Sequence, residues 1–184
     1  MKSSSKGKLM NNRKTILFVD GYNVLNAWPE LKLILEDDFE GAREKLNDYM
    51  HEYASYYGEE VYVVYDAYLT NAKKAHVESY GHLHVVYTKE NQTADSYIER
   101  QVKLLSEDVR IMIKVATSDW VQQRQILGSG GIRLTPWELK DKCARIRRKI
   151  EHRHRMAEEA ASKEPSGHQS LRNLDKLLEI RKNN

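Results

Sequence analysis

Asp20 closes the apolar run Ile16-Leu17-Phe18-Val19, Asp66 follows Val61-Tyr62-Val63-Val64-Tyr65, and Asp119 follows the stretch from Val109 to Ala116 by way of Thr117-Ser118. A further aspartate, Asp95, opens the helical pattern Thr93-Ala94-Asp95-Ser96-Tyr97-Ile98-Glu99. Short runs rich in β-branched residues read as strands. Open parallel sheets bind ligands in the crevice beyond the carboxyl ends of those strands. Carboxylates gathered there repel one another unless a cation lies between them, and hard oxygen donors select Mg2+ or Mn2+. Such an ion makes a nucleophile of water near neutral pH and neutralises charge on a phosphate. These acids therefore predict a metal-dependent enzyme acting on phosphates.

Each candidate also has a plainer structural reading. Asp20 precedes Gly21, and Asp-Gly is ordinary turn chemistry. Asn23 is expected to position Asp20 or a substrate phosphate by hydrogen bonding, or else to act as a local cap. Asp95 and Glu99 share one helical face, where like charges cost a few tenths of a kcal/mol unless a divalent cation binds them. Asp95 also suits the positive end of a helix dipole, and Glu99 has Lys103 four residues on as an ion-pair partner. Asp119 either completes the acid cluster, beside the Thr117 and Ser118 hydroxyls, or caps the helix after it. Asp66 either borders the cleft or begins a loop. His82 with His84, and His152 with His154, have no carboxylate at a helpful sequence spacing and read as surface or core histidines. Trp28, Trp120 and Trp137 are candidates for stacking on bases, with core packing expected for at least two of them.

Positioning those acids requires strands alternating with helices, hence βαβ units and a parallel sheet. Strands are expected near residues 15–19, 61–65, 83–87, 110–116 and 132–134. A helix over 38–57 carries the stripe Ala42, Leu46, Tyr49, Met50, Tyr53 and Tyr57 and stops at Gly58. Residues 70–80 read as a helical or irregular crossover, 94–106 as a helix, and a further helix is expected from Asp119 to Leu127. Thr135-Pro136-Trp137-Glu138 is a helix start with a capping box, opening a helix that runs to about Ser162. Ser170 caps a final helix. The expected architecture is a three-layer α/β domain with a mainly parallel sheet of about five strands and a helical C-terminal extension.

Three of these segments also carry a family resemblance. Asp20-Gly21-Tyr22-Asn23-Val24, Thr93-Ala94-Asp95-Ser96-Tyr97-Ile98-Glu99 and Val115-Ala116-Thr117-Ser118-Asp119, in this order and spacing, resemble the YacP-like branch of the NYN domains, a division of the PIN-type nucleases. The resemblance spans roughly residues 14 to 155. It implies a metal-dependent endoribonuclease with Asp20, Asp95 and Asp119 in the metal cluster. The best-known member cuts mRNA within the ribosome in Gram-positive bacteria, so mRNA and the ribosome are the implied partners.

Charge distribution fits a polyanionic partner. The 184 residues carry a net charge of +3. Residues 1–14 hold five basic side chains and no acidic one, and read as a flexible arm. Residues 15–136, the expected nuclease core, hold 12 basic against 19 acidic side chains, while 137–184 hold 13 against 8. Lys140, Lys142, Arg145, Arg147, Arg148, Lys149, Arg153 and Arg155 crowd one helix, more than solubility demands, and are the expected RNA contacts. Alternatively the run is a solvated helix face. The single Cys143 excludes an internal disulfide and fits a reducing cytosol. No stretch is apolar enough to span a membrane, and no organic cofactor motif is present. A catalytically inactive RNA- or ribosome-binding module is the main rival, yet a binder gains nothing from acids facing phosphate. An aspartate phosphotransferase would place a second Asp where Tyr22 stands, and a receiver domain would place adjacent acids at Val19-Asp20.

Overall fold

In the computed structural model, residues 13–66, 75–119, 128 and 130–163 are described. Strand β1 (Lys14–Asp20) leads into three consecutive helices, α1 (Gly21–Ala27), α2 (Pro29–Asp37) and α3 (Phe39–Tyr57). Strands β2 (Glu60–Tyr65), β3 (His76–Tyr80) and β4 (Leu83–Tyr87) follow. Helix α4 (Ala94–Leu105), strands β5 (Ile111–Ala116) and β6 (Ile132–Leu134) and helix α5 (Pro136–Lys163) complete the described elements. The sheet order is β3-β4-β2-β1-β5-β6, parallel except for the β3–β4 pair. The α/β class and parallel sheet expected from the sequence are therefore present.

The chain steps outward from β1 to β2 and β4 on one side, then returns to place β5 on the other. The switch point thus lies between β1 and β5, and their carboxyl ends frame a crevice. Both faces of the sheet are covered, which explains the unbroken apolar runs. Ile16, Phe18, Val64, Val86, Ile113 and Val115 pack with Ala94, Ile98 and Val102 of α4. Between them, Leu17, Val19 and Val63 are fully buried, as are Leu46 and Met50 of α3. Burying each such side chain contributes about 1.5–3 kcal/mol.

Local chemistry sets the helix ends. Asp38 Oδ1 accepts from Gly41 N at 2.9 Å to start α3, and Gly58, at φ 64°, ends it in the left-handed conformation. Thr135 and Glu138 form the reciprocal capping box of α5, with Glu138 N donating to Thr135 Oγ1 at 3.2 Å and Thr135 N to Glu138 Oε2 at 2.7 Å. The chain divides at Ile146 into two compact units. In the first, Leu139, Cys143 and Ile146 are the buried stripe of α5. In the second, α5 continues to Lys163, and every residue from Glu151 to Ser162 is exposed.

Some elements differ from the sequence reading. Among the described residues the sheet has six strands, because His76–Tyr80, expected within a helical or irregular crossover over 70–80, is an antiparallel edge strand turning into β4 through Gly81 at φ 62°. Its residues are mostly exposed, so no apolar run marks it. Helices α1 and α2 fill a stretch to which sequence pattern assigns no element. The histidine reading also changes. His82 Nδ1 and His84 Nε2 lie 3.2 and 2.8 Å from the two oxygens of Glu60, a carboxylate distant in sequence but lateral in the sheet. They sit at the amino-terminal end of the strands, away from Asp20. The expected helices after Asp119 to about Leu127 and from Ser170, and Trp120, lie outside the described residues.

Gly21 is set by space rather than by turn conformation, since a Cβ built there would fall inside the Tyr65 ring. That ring is fully buried, and its hydroxyl donates to Asn47 Oδ1 at 3.0 Å, so it cannot yield. Gly21→Ala is therefore expected to destabilise the fold by about 1–3 kcal/mol, as overpacking does. Thermal denaturation followed by circular dichroism measures this, and an unchanged midpoint would show that Tyr65 can move aside.

Candidate active site

Asp20 is at once the last residue of β1 and the N-cap of α1. Its Oδ1 accepts from Asn23 N at 3.1 Å, so the capping reading is realised without excluding a second role. The strand passes directly into the helix, which leaves the carboxylate only 9% exposed. Asp95, in the first turn of α4, brings its carboxyl within hydrogen-bonding reach of Asp20. Burial pushes the Asp20 carboxyl from its ordinary 3.8 up to about 7, and the charges of Asp95 and Asp66 push the same way. Asp95 is also raised, first by burial and then by Asp119 and Asp66, while the hydrogen bond from Asp20 pulls it down. Both carboxyls of the pair are thus harder to ionise than a free aspartate.

Asp66 and Asp119 stand outside this pair. Asp66 Oδ1 accepts a short hydrogen bond from Ala94 N, so it ties the end of β2 to the start of α4. Asp119 N donates to Thr117 Oγ1 at 3.1 Å. Asn23 Oδ1 accepts from both Ser118 N and Ser118 Oγ, at 2.9 and 2.8 Å, locking α1 to the segment after β5. The Asn23 backbone thus positions Asp20, while its side-chain oxygen fixes the neighbouring loop. The Ser118 hydroxyl thus donates within the fold, and the Thr117 hydroxyl accepts from the Asp119 backbone. Glu99 is exposed one turn along α4 and is not among the cleft-lining residues.

The cleft itself has a volume of about 410 Å³ and is lined by Asp20, Tyr22, Asn23, Asn26, Ala27, Asp66 and Ser118. Sequence pattern alone does not single out Tyr22 and Asn26. They lie one turn apart on α1, with Asn26 Nδ2 donating to Tyr22 O at 2.8 Å, and the helical phase of a known α1 would have placed both on the Asp20 side. Behind Tyr22 is Arg43, an 8% exposed cation whose guanidinium carbon is 5.9, 6.0 and 5.7 Å from the Phe39, Tyr65 and Tyr87 ring centroids. Burial drives the Tyr22 phenol up to about 12, with the Arg43 charge opposing. No sequence pattern marks Arg43, which falls beside the apolar stripe of α3.

The donor set suits a hard divalent ion. It is all oxygen, and two half- to fully buried carboxyls that are hard to ionise would gain from a cation between them. Among the described residues, however, no three His, Cys, Asp or Glu side chains converge closely enough to form a ready cage. Asp20 and Asp95 are the pair that would hold an ion, with Asp66 and Asp119 adding negative field around it.

Lys140 and Arg145 of α5 make ion pairs. Lys140 Nζ pairs with Glu30 Oε2 of α2 at 2.5 Å, and Arg145 pairs with Asp141 one turn earlier at 2.7 Å. Both acids lie where sequence spacing conceals or only half reveals them.

A mainly parallel six-stranded sheet with Asp20 and Asp66 lining a cleft at the carboxyl ends of β1 and β2 is an architecture of the nuclease-like, PIN-type class to which NYN domains belong. The chain belongs to the YacP-like NYN domain family, whose model matches residues 17–182. It is 41% identical over 152 residues to the uncharacterised protein YacP of Bacillus subtilis strain 168, covering 83% of this chain and 86% of that one. The crystal structure of Rae1 (YacP) from Bacillus subtilis superposes with a TM-score of 0.67 at 39% identity, covering 89% of this chain and 94% of the other. A point mutant of that protein matches with the same TM-score at 38% identity, over 85% and 90% of the two chains. Among the described residues, no helix is long and apolar enough to cross a membrane.

Proposed function

We propose that this protein is a divalent-metal-dependent endoribonuclease that cleaves single-stranded RNA, with mRNA on the translating ribosome as its substrate. The buried Asp20 at the carboxyl end of the central strand, with Asp95 of the first turn of α4 within hydrogen-bonding reach, carries the reading. A pure RNA binder would lose affinity by facing phosphate with these acids, whereas a metal enzyme requires them. Mg2+ or Mn2+, held by Asp20 and Asp95 with Asp119 and Asp66 in support, supplies charge neutralisation and an activated nucleophile. The chain's own groups do the rest. The Asn23 N–H fixes the Asp20 carboxylate, the Asn23–Ser118 bonds hold the cleft wall, and Tyr22 and Asn26 shape the space for the strand. Glu99 is placed further down the same helix as an outer acid. The decisive experiment incubates translating ribosomes and naked RNA with the protein, with and without Mg2+ or Mn2+, and maps the cut ends. Absence of metal-dependent cuts on both substrates would favour the inactive binding module.

In this reading the acidic core performs the chemistry and the basic extension from residue 137 grips RNA. The core's net −7 over residues 15–136 repels a polyanion, and the +5 beyond offsets it. Lys140, Lys142, Arg145, Arg147, Arg148, Lys149, Arg153 and Arg155 are assigned to phosphates. Replacing Arg147, Arg148 and Arg153 by Gln is expected to weaken ribosome or RNA binding. The log–log salt slope should fall by about one for each phosphate no longer neutralised. A salt titration identical to that of the unmodified protein would make this helix a solvated face.

A further inference from the structure

We propose that Trp137 is a stacking platform for a base of single-stranded RNA entering the cleft, an inference that rests on the nuclease reading above. Trp28 is completely buried, whereas Trp137 is 57% exposed. Its position follows from the sheet. Leu134, the last residue of β6, pairs with Ala116, the last of β5, and its carbonyl accepts from Thr117 N at 3.2 Å. The chain then passes through Thr135 and Pro136 at the end of the sheet where Ser118 lines the cleft. From the other side, Trp28 Nε1 donates to the Pro136 carbonyl at 2.8 Å, and the preceding Ala27 is a lining residue of the cleft. Trp137 thus follows directly on a residue bonded to Trp28, the chain neighbour of the cleft-lining Ala27.

Its ring is held in advance. Lys140 Nζ lies 5.2 Å from the ring centroid, and the same nitrogen is anchored on Glu30 of α2 at 2.5 Å. A cation fixed from a second helix thereby covers part of the indole and leaves the rest open. Ordering the platform before the ligand arrives removes a cost that binding would otherwise carry. The cleft has particular need of such a platform, because no lysine or arginine is among its described lining residues. Base stacking on an aromatic ring adds affinity without demanding a sequence, as every base has a π-face. One Lys-backed aromatic ring beside an acid-lined cleft therefore fits a nucleobase on the same strand as the phosphate being cut.

The test measures anisotropy of a fluorescein-labelled single-stranded oligoribonucleotide, and of the same strand with abasic riboses, bound to the full chain. That chain carries Asp20→Asn so that the strand stays whole. Adding Trp137→Ala is expected to weaken the base-bearing strand about 5- to 150-fold and to leave the abasic strand unchanged. Trp137→Tyr is expected to retain most of the affinity. Equal binding of the base-bearing strand with and without Trp137→Ala overturns the inference while leaving the nuclease reading to its own cut-end test. Equal losses for the two strands also overturn it, since charge or folding would then be the cause. If the starting chain binds neither strand, both the platform and the RNA substrate fall.

Discussion

Asp20→Asn and Asp95→Asn are each expected to reduce RNA cleavage by at least about 100-fold while leaving the fold intact. Loss of one anionic donor misplaces the ion and removes a share of its stabilisation of the reacting phosphate, worth several kcal/mol, at about 1.36 kcal/mol per tenfold in rate. The fold should survive because asparagine is isosteric with aspartate. Its Oδ1 can still accept from Asn23 N, so the cap on α1 is kept. Metal-free Asp20→Asn should in fact be the more stable protein, since the substitution removes a buried, raised carboxyl beside Asp95 and Asp66. Near-normal cleavage by either purified, folded variant would sink the assignment, and a folded but inactive pair of variants would support it.

Chelation is expected to abolish cleavage, and Mg2+ or Mn2+ to restore it together with a rise in melting temperature. At about a hundred times its dissociation constant, an ion that binds only the folded state contributes about 2.7 kcal/mol. The pH dependence of the metal-free protein provides a second readout. Asp20 is raised from 3.8 to about 7, so between those values the folded state holds a proton that the unfolded chain releases. Its contribution to stability therefore falls as pH rises through that window, by at most about 1.4 kcal/mol per pH unit. Asp95, also raised, acts in the same direction. Melting curves in chelator at a series of pH values should show this slope in the unmodified chain and a shallower one in Asp20→Asn. Identical slopes, or full activity after exhaustive metal removal, would contradict a carboxylate metal centre.

The parts legible in the sequence share a physical reason. Apolar runs buried on both faces announced β1, β2, β4 and β5, and the Thr135–Glu138 box announced α5 with its cap in detail. Asp20 and Asp95 could be paired because each occupies an element end, where backbone geometry fixes the direction of the side chain. The missed parts depend on lateral neighbours. Glu60 meets His82 and His84 only through the β2–β4 register, and β3 is polar because it is an exposed edge. Arg43 is buried by three aromatic residues from different elements, an arrangement to which no local pattern points. Asn23 and Ser118, 95 residues apart, meet for the same reason.

The central place of β1 has a consequence for the order of synthesis. This strand emerges first, yet it pairs on one side with β2 and on the other with β5, which begins at Ile111. At about 5–20 residues per second, roughly 5–20 s separate the completion of Asp20 from the arrival of β5. Until then one edge of β1 is open, and the wall carrying Ser118 does not exist. The nascent chain therefore cannot assemble its cleft until the segment through Ser118 has been synthesised, and the second edge of β1 stays unpaired through that interval.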